Sequence, residues 1–321
     1  MSRDLSLYYG QALGQYGFGP GHPFNLRRQE IFWEAFRLRS WSAQFEIREP
    51  VTAGQEVLER FHTADYVEQV KRASATGGGF LDWGDTPAYA GVYEAAAAVA
   101  GSTVDAAERI LAGECRKAFI PIAGLHHARR DRAAGFCVFN DCGVAIETLL
   151  RLHGLERIGY VDIDAHHGDG VYYGFEADPR VVMADIHEDG RSLYPGTGHA
   201  AEQGSGQALG TKLNLPLPPG AGDRSFFAAW EKVLAFLRER RPEFILLQCG
   251  ADGLEGDPLT HLKYSPQVHA RATADLCRLA EELGHGRVLA MGGGGYLPEN
   301  LAAAWVETAD ALRQAGKKSR P

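Results

Sequence analysis

The 321-residue chain has no Cys-x-x-Cys pair, no internal repeat and no linker that would divide it. Its five cysteines (Cys115, Cys137, Cys142, Cys249 and Cys277) form an odd set without disulfide or zinc-finger spacing, which fits reduced thiols in a cytoplasmic protein. Cys137 and Cys142 have no pairing partner as metal ligands and read as buried small residues. The N-terminus lacks the charged-then-apolar pattern of a secretory signal. No apolar run reaches the ~18 residues of a membrane span, so no membrane partner is expected. Positive charge is in deficit: 33 Lys and Arg against 41 Asp and Glu give a formal net charge of -8 and a pI near 5.8. That balance argues against nucleic-acid binding and is compatible with a cationic substrate. What remains is ordinary for a soluble globular enzyme, 45% hydrophobic and 23% charged. One domain over 1–321 is expected. Glycine is abundant at 39 residues, many of them inside the motifs below.

Residues 1–50 read as irregular, with a turn-rich Gly19-Pro-Gly-His-Pro23 and one helix over Leu26–Leu38. A second helix is predicted over Val57–Ala73, and a long alanine-rich one over Tyr89–Leu111, broken near Gly101. Strands and helices then alternate. The strands are Ala118–Ile122, Ile158–Ile163, Val181–Ile186, Lys212–Leu215, Phe244–Cys249 and Val288–Met291. The helices are Gly143–Leu152, Ser225–Arg238, Pro266–Leu283 and Pro298–Leu312. Such alternation predicts an α/β protein with a parallel sheet covered by helices on both faces.

The densest chemistry lies in Tyr160-Val-Asp-Ile-Asp-Ala-His-His-Gly-Asp-Gly170. The segment starts as a buried strand and ends with Asp162, Asp164, His166, His167 and Asp169 within eight positions. Asp164 and His166 are two apart, so in extended chain they point to the same side. A single Asp or His here would suit a helix cap or filler. Five such groups repel one another unless a cation or hydrogen bonds compensate, which favours a metal. Other strand ends carry reactive groups too: His126-His127, Asp185 and His187, Asp252, and Gly292-Gly-Gly-Gly-Tyr296. In open α/β sheets the ligand site lies beyond the carboxyl ends of the strands, so these groups are expected to meet. Asp164, His166 and Asp252 would give two oxygens and one nitrogen with an open position, as in catalytic metal sites. Asp162 and Asp169 are candidates to orient the adjacent imidazoles. Tyr296 would be a mobile O–H donor; alone after glycines it would read as a capping aromatic.

With these residues in hand, the chain resembles the zinc-dependent histone deacetylase family, in particular its bacterial acetoin-utilization type. The matching motifs are Gly124-Leu-His-His-Ala128, Gly135-Phe-Cys-Val-Phe-Asn-Asp141, the Asp162–Gly170 stretch and Tyr194-Pro-Gly-Thr-Gly198. They continue with Gln248-Cys-Gly-Ala-Asp252, Gly256-Asp-Pro258 and Gly292-Gly-Gly-Gly-Tyr296. The resemblance implies an arginase/deacetylase-like fold with a central parallel sheet of eight strands, and Asp164, His166 and Asp252 as ligands of one zinc, or iron in the cell. His127 with Asp169 matches the general base and acid, His126 with Asp162 the electrostatic partner, and Tyr296 the residue that polarises the substrate carbonyl. Phe136 and Tyr194 match the two aromatics of the acyl-lysine tunnel, the second often being Phe in relatives. Asp85 matches a rim carboxylate that grips substrate backbone, and Arg28 an internal-channel arginine.

Monovalent cations, potassium or sodium, are implied as well. One site would use Asp162, Asp164, His166, Asp185 and Ile186, where many relatives have Ser in place of Asp185. A second would use Phe175, Asp178, Val181 and Thr211, largely through carbonyls. His167 and His187 read as packed, hydrogen-bonded residues. The implied reaction is hydrolysis of acyl-lysine in proteins or peptides by a metal-activated water. Leu259 stands where polyamine-directed relatives carry Glu, which favours a peptide over an acetylpolyamine or other small amide. Two rivals are an arginase-like dinuclear manganese hydrolase and a non-enzymatic subunit that recognises acylated partners. Oligomeric state is not indicated.

Overall fold

Eight strands carry the architecture of the computed structural model, which describes residues 4–315. They are β1 (Leu5–Tyr8), β2 (Glu46–Arg48), β3 (Lys117–Ile120), β4 (Ile158–Asp162), β5 (Val181–Glu188), β6 (Lys212–Leu217), β7 (Phe244–Gln248) and β8 (Val288–Met291). All pairings are parallel, in the order β2-β1-β3-β8-β7-β4-β5-β6. The expected eight-stranded parallel sheet is therefore present. The expected span of 1–321 extends at both ends beyond the described residues.

Burial on both faces explains the apolar strands. In β7, Phe244 and Leu246 enter one core with Ala96 and Leu149, while Ile245 and Leu247 enter the other with Trp230 and Trp305. The period-2 alternation of side chains divides the residues this way. No helix among the described residues is long and apolar enough to cross a membrane.

Three readings of the sequence need correction. The first 50 residues are not wholly irregular, because β1 and β2 extend one edge of the sheet; segments of four and three residues are too short to display a period. The Val57–Ala73 helix is two, Gln55–Leu58 and Ala64–Thr76, and the Thr63 side chain accepts from Tyr66 N at the second start. The Val92–Leu111 helix runs unbroken through Gly101. A Cβ there would lie 2.3 Å from Val51 O and 2.4 Å from Ala53 N, so the glycine serves close packing of a neighbouring segment. A helix that the sequence pattern did not suggest, Asp169–Phe175, also follows directly on the acidic stretch.

The sheet order sets up the site. β3, β8, β7, β4 and β5 are consecutive neighbours, and these are the five strands whose carboxyl ends carry the reactive groups.

Candidate active site

Beyond β4 the chain brings Asp164 and His166 against Asp252, which follows β7. His166 Nδ1 is 3.0 Å from both Asp164 Oδ1 and Asp252 Oδ2. All three residues are buried, and one donor atom from each lies within 4.8 Å of the others. Backbone N–H groups and one side-chain amide lock the carboxylates in place. Asp164 Oδ2 accepts from Gly294 N at 2.8 Å and from Gln248 Nε2 at 2.9 Å, and Asp252 Oδ1 accepts from Ala165 N at 2.9 Å. Glycine is required around them: a Cβ at Gly250 would stand 2.0 Å from Asp164 Oδ2, and one at Gly294 2.2 Å from Asp252 Oδ2.

This donor set fits a divalent cation. Two oxygens and a nitrogen converge, and burial together with the Asp164 charge pushes Asp252 up to about 7. A cation between the carboxylates removes that repulsion.

Beside this group stand the two adjacent histidines, each with its own carboxylate. His126 Nδ1 is 2.8 Å from Asp162 Oδ2 and His127 Nδ1 is 2.7 Å from Asp169 Oδ1. The Nε2 atoms face each other at 3.1 Å. Their environments push them apart. Burial opposes charge on His126, but Asp162 and then Asp164 outweigh it and raise its pKa to about 10. Burial and then the His126 charge drive His127 down to about 4, against the pull of Asp169. Two titratable neighbours separated in this way are suited to distinct acid–base tasks. Arg129 Nη2 donates to Asp169 Oδ2 at 2.6 Å and fixes that carboxylate.

Tyr296 sits on the glycine loop after β8. Its N–H donates to Asp257 Oδ2 at 2.9 Å, and its ring meets Phe136 edge-on at 5.8 Å. Phe136 has φ of 67°, a conformation bulky residues rarely adopt. It is held there by Thr86 Oγ1, which accepts from Phe136 N, and by Tyr16 OH, which donates to Phe136 O. The Tyr194 ring centroid lies 5.1 Å from that of His127 and 6.4 Å from that of His166. Phe136, Tyr194 and Tyr296 thus gather at the mouth of the buried group. Asp85 lies on an exposed loop lining a cleft of about 420 Å³ with Tyr194, Arg129 and Trp83. Burial and the neighbouring Asp82 raise Asp85 to about 7. Leu259 is linked to Tyr296 through Asp257, whose Oδ1 accepts from Leu259 N. Arg28 is buried beneath the glycine loop, donating to Gly293 O at 2.6 Å and Gly295 O at 3.2 Å.

The residues expected around monovalent cations behave differently from one another. Asp185 Oδ1 is 2.6 Å from His187 Nδ1, and Oδ2 accepts from Gly168 N. Burial opposes charge on both members of that pair, but each partner outweighs it, so the pair is held ionised. The Asp185 carboxylate is thereby matched by His187. His167, as expected, is a packed residue bonded to Thr197 Oγ1 at 2.8 Å. Asp178, Val181 and Thr211 do come together, but they do not fit a second cation, because the Lys212 ammonium stands among them.

Several contributors were not singled out from the sequence. Tyr160 OH donates to Asp162 Oδ2 at 2.7 Å, and Gln248 reaches Asp164 and Gly124 O. Asp141 accepts from the backbone of Gly124 and Leu125, just before the two histidines. A polar residue closing an apolar strand, as in Phe244-Ile-Leu-Leu-Gln248, was the available signal for Gln248.

Comparisons with known proteins agree with this geometry. A family model described as "Histone deacetylase domain" matches residues 22–312. The chain is 37% identical to the acetoin utilization protein AcuC of Bacillus subtilis, covering 95% of this chain and 82% of that protein. It is 31% identical to histone deacetylase clr6 of Schizosaccharomyces pombe, covering 94% and 75%. The crystal structure of the HDA15 HD domain superposes with a TM-score of 0.89 at 25% identity, covering all of this chain and 90% of that one.

Proposed function

From the premise that the chain belongs to the histone deacetylase family, and so is a metal-dependent deacetylase, we propose that it removes acetyl or another short acyl group from lysine side chains of proteins or peptides. The observation that carries this reading is the buried Asp164, His166 and Asp252 group beside two histidines of opposite pKa direction. In this reading those three residues hold one divalent ion, zinc as isolated and iron as a cellular alternative. When bound, that ion supplies Lewis-acid polarisation of an amide carbonyl and acidifies a water.

The residues then divide the work. His127, neutral and within reach of the site, accepts the proton of the attacking water and returns it to the leaving amine. Asp169, fixed by Arg129, holds the imidazole by its Nδ1. His126, kept cationic by Asp162, supplies positive charge as the oxyanion develops. Tyr296 donates its O–H to that oxygen. Phe136 and Tyr194 flank the lysine methylenes, whose burial contributes ~0.8 kcal/mol each. Asp85 at the rim accepts backbone N–H groups that a peptide has and a polyamine lacks. Leu259 offers no charge for a distal ammonium. One monovalent cation, potassium or sodium, near Asp162, Asp164, His166, Asp185 and Ile186 belongs to the same proposal. So does a cytoplasmic location, supported by five free, buried cysteines.

The test compares kcat/KM for an acetyl-lysine peptide with that for acetylputrescine and acetylspermidine, in wild type and Asp85→Ala. A peptide preference that falls in the variant is expected. A polyamine preference, or peptide activity indifferent to Asp85→Ala, contradicts the assignment.

A further inference from the structure

At the other end of the sheet, where β5 and β6 begin, a lysine is buried without a carboxylate partner. Lys212, the first residue of β6, is 2% exposed. Its Nζ donates to Val181 O at 2.7 Å, Thr211 Oγ1 at 2.7 Å and Asp178 O at 3.1 Å. No ion pair to Lys212 within 4.0 Å is present among the described residues; Asp178, whose carbonyl accepts from the ammonium, spends its carboxylate on Arg180. An ammonium has three donors and no acceptor, and here three neutral oxygens answer the three donors. Rings of carbonyl and hydroxyl oxygens around a monovalent positive charge are also how proteins hold potassium.

We propose that Lys212 is a tethered internal cation, whose ammonium takes the place of a free monovalent ion in the cradle of Asp178, Val181 and Thr211. The lysine ties three chain segments: the turn after the helix Asp169–Phe175, the start of β5 and the start of β6. A tethered charge is present at every salt concentration, whereas a free ion stabilises only in proportion to its concentration over its Kd. Burial lowers the lysine to about 8, with Asp178 and Glu176 pulling the other way, so the side chain still carries its charge at neutral pH. Lys212 is thus a positioning residue for the entry of β5, remote from the reacting atoms, and the chain needs one monovalent ion fewer than its oxygen cradles suggest.

The test uses the intact protein and two variants. Lys212→Ala empties the cradle; Lys212→Met fills it with an uncharged chain. With N-methylglucamine as the only buffer cation, both should melt roughly 5–10 °C below wild type. Potassium should then raise the Tm of Lys212→Ala more than that of wild type, and should not restore Lys212→Met. Crystals soaked in thallium should show an ion in the cradle of Lys212→Ala and none there in wild type. A thallium peak in the wild-type cradle, or equal potassium gains for wild type and Lys212→Ala, overturns the proposal. Neither readout involves substrate, so failure here leaves the deacylase reading standing, and the reverse also holds.

Discussion

Two sets of buried oxygens sit at opposite ends of one parallel sheet and are neutralised in different ways. At the carboxyl ends of β4 and β7, the carboxyl groups of Asp164 and Asp252 crowd around His166. At the amino ends of β5 and β6, Asp178 O, Val181 O and Thr211 Oγ1 are neutral dipoles around Lys212. A lysine suffices for the second set because only the dipoles must be satisfied, and three N–H donors do that. It would not serve the first, where chemistry needs a charge with a coordination position left open to water and substrate. An ammonium has no such position. The difference teaches that an ion is retained where it must react and is replaceable by a side chain where it only holds backbone together.

The expectations that sharpen this contrast run from large to small. Asp252→Ala should abolish metal binding or leave a poorly occupied site, and with it all measurable deacylation; elemental analysis and a peptide assay read this together. Retained metal and turnover would dissolve the distinction between the two ends. Next, Tyr296→Phe should keep metal and fold yet lose about 10²–10³ in kcat, or ~2.7–4 kcal/mol. His127→Ala should do at least as much damage, since proton transfer at two steps depends on it. Near wild-type turnover in both would remove the roles assigned to them.

Acid should separate the ends as well. His62 Nε2 accepts from Asn140 N at 2.9 Å, and Asn140 Nδ2 donates to the carbonyls of His126 and Ala128. Burial lowers His62 to about 3, so it is neutral in the fold. The unfolded chain, with an ordinary histidine near 6.5, binds more protons from there down to about 3, and stability falls with pH across that window. The expected loss from this residue is on the order of 3 kcal/mol at pH 4. Lys212 adds no slope there: its folded pKa of about 8 lies below the unfolded value, so its proton binding differs only above about 8. Denaturant melts from pH 4 to 7 should therefore be flatter in His62→Gln and unchanged in slope in Lys212→Met. Equal slopes for wild type and His62→Gln would refute the assignment. The smallest effect expected on chemistry is that of Lys212→Met, which should lower Tm while leaving most of kcat, the reverse of chelating the metal.

The two ends also differed in legibility. Asp164, His166 and Asp252 stand out because carboxylates and imidazoles are rarely concentrated after apolar strands, and sheet order then brings adjacent strand ends together. Tyr160, Gln248 and Asp257 act by holding neighbouring groups through hydrogen bonds, and no spacing marks them. Lys212 was invisible for a plainer reason. A lysine opening a short alternating strand, Lys212-Leu-Asn-Leu-Pro-Leu217, looks like an ordinary solvated residue. Only the turn at 178–181, folded back over it, reveals that its ammonium is enclosed. Gly101 misled in the opposite sense: a glycine inside a helix reads as a break, whereas here it admits the backbone of residues 51–53.

The central claim, a single reactive ion held by Asp164, His166 and Asp252, is tested most directly by measuring metal content and acetyl-lysine peptide hydrolysis on the same sample. The account expects one divalent ion per chain, turnover lost on chelation and regained with one equivalent of zinc. Two tightly bound transition-metal ions per chain, or full turnover in a metal-free sample, would contradict it.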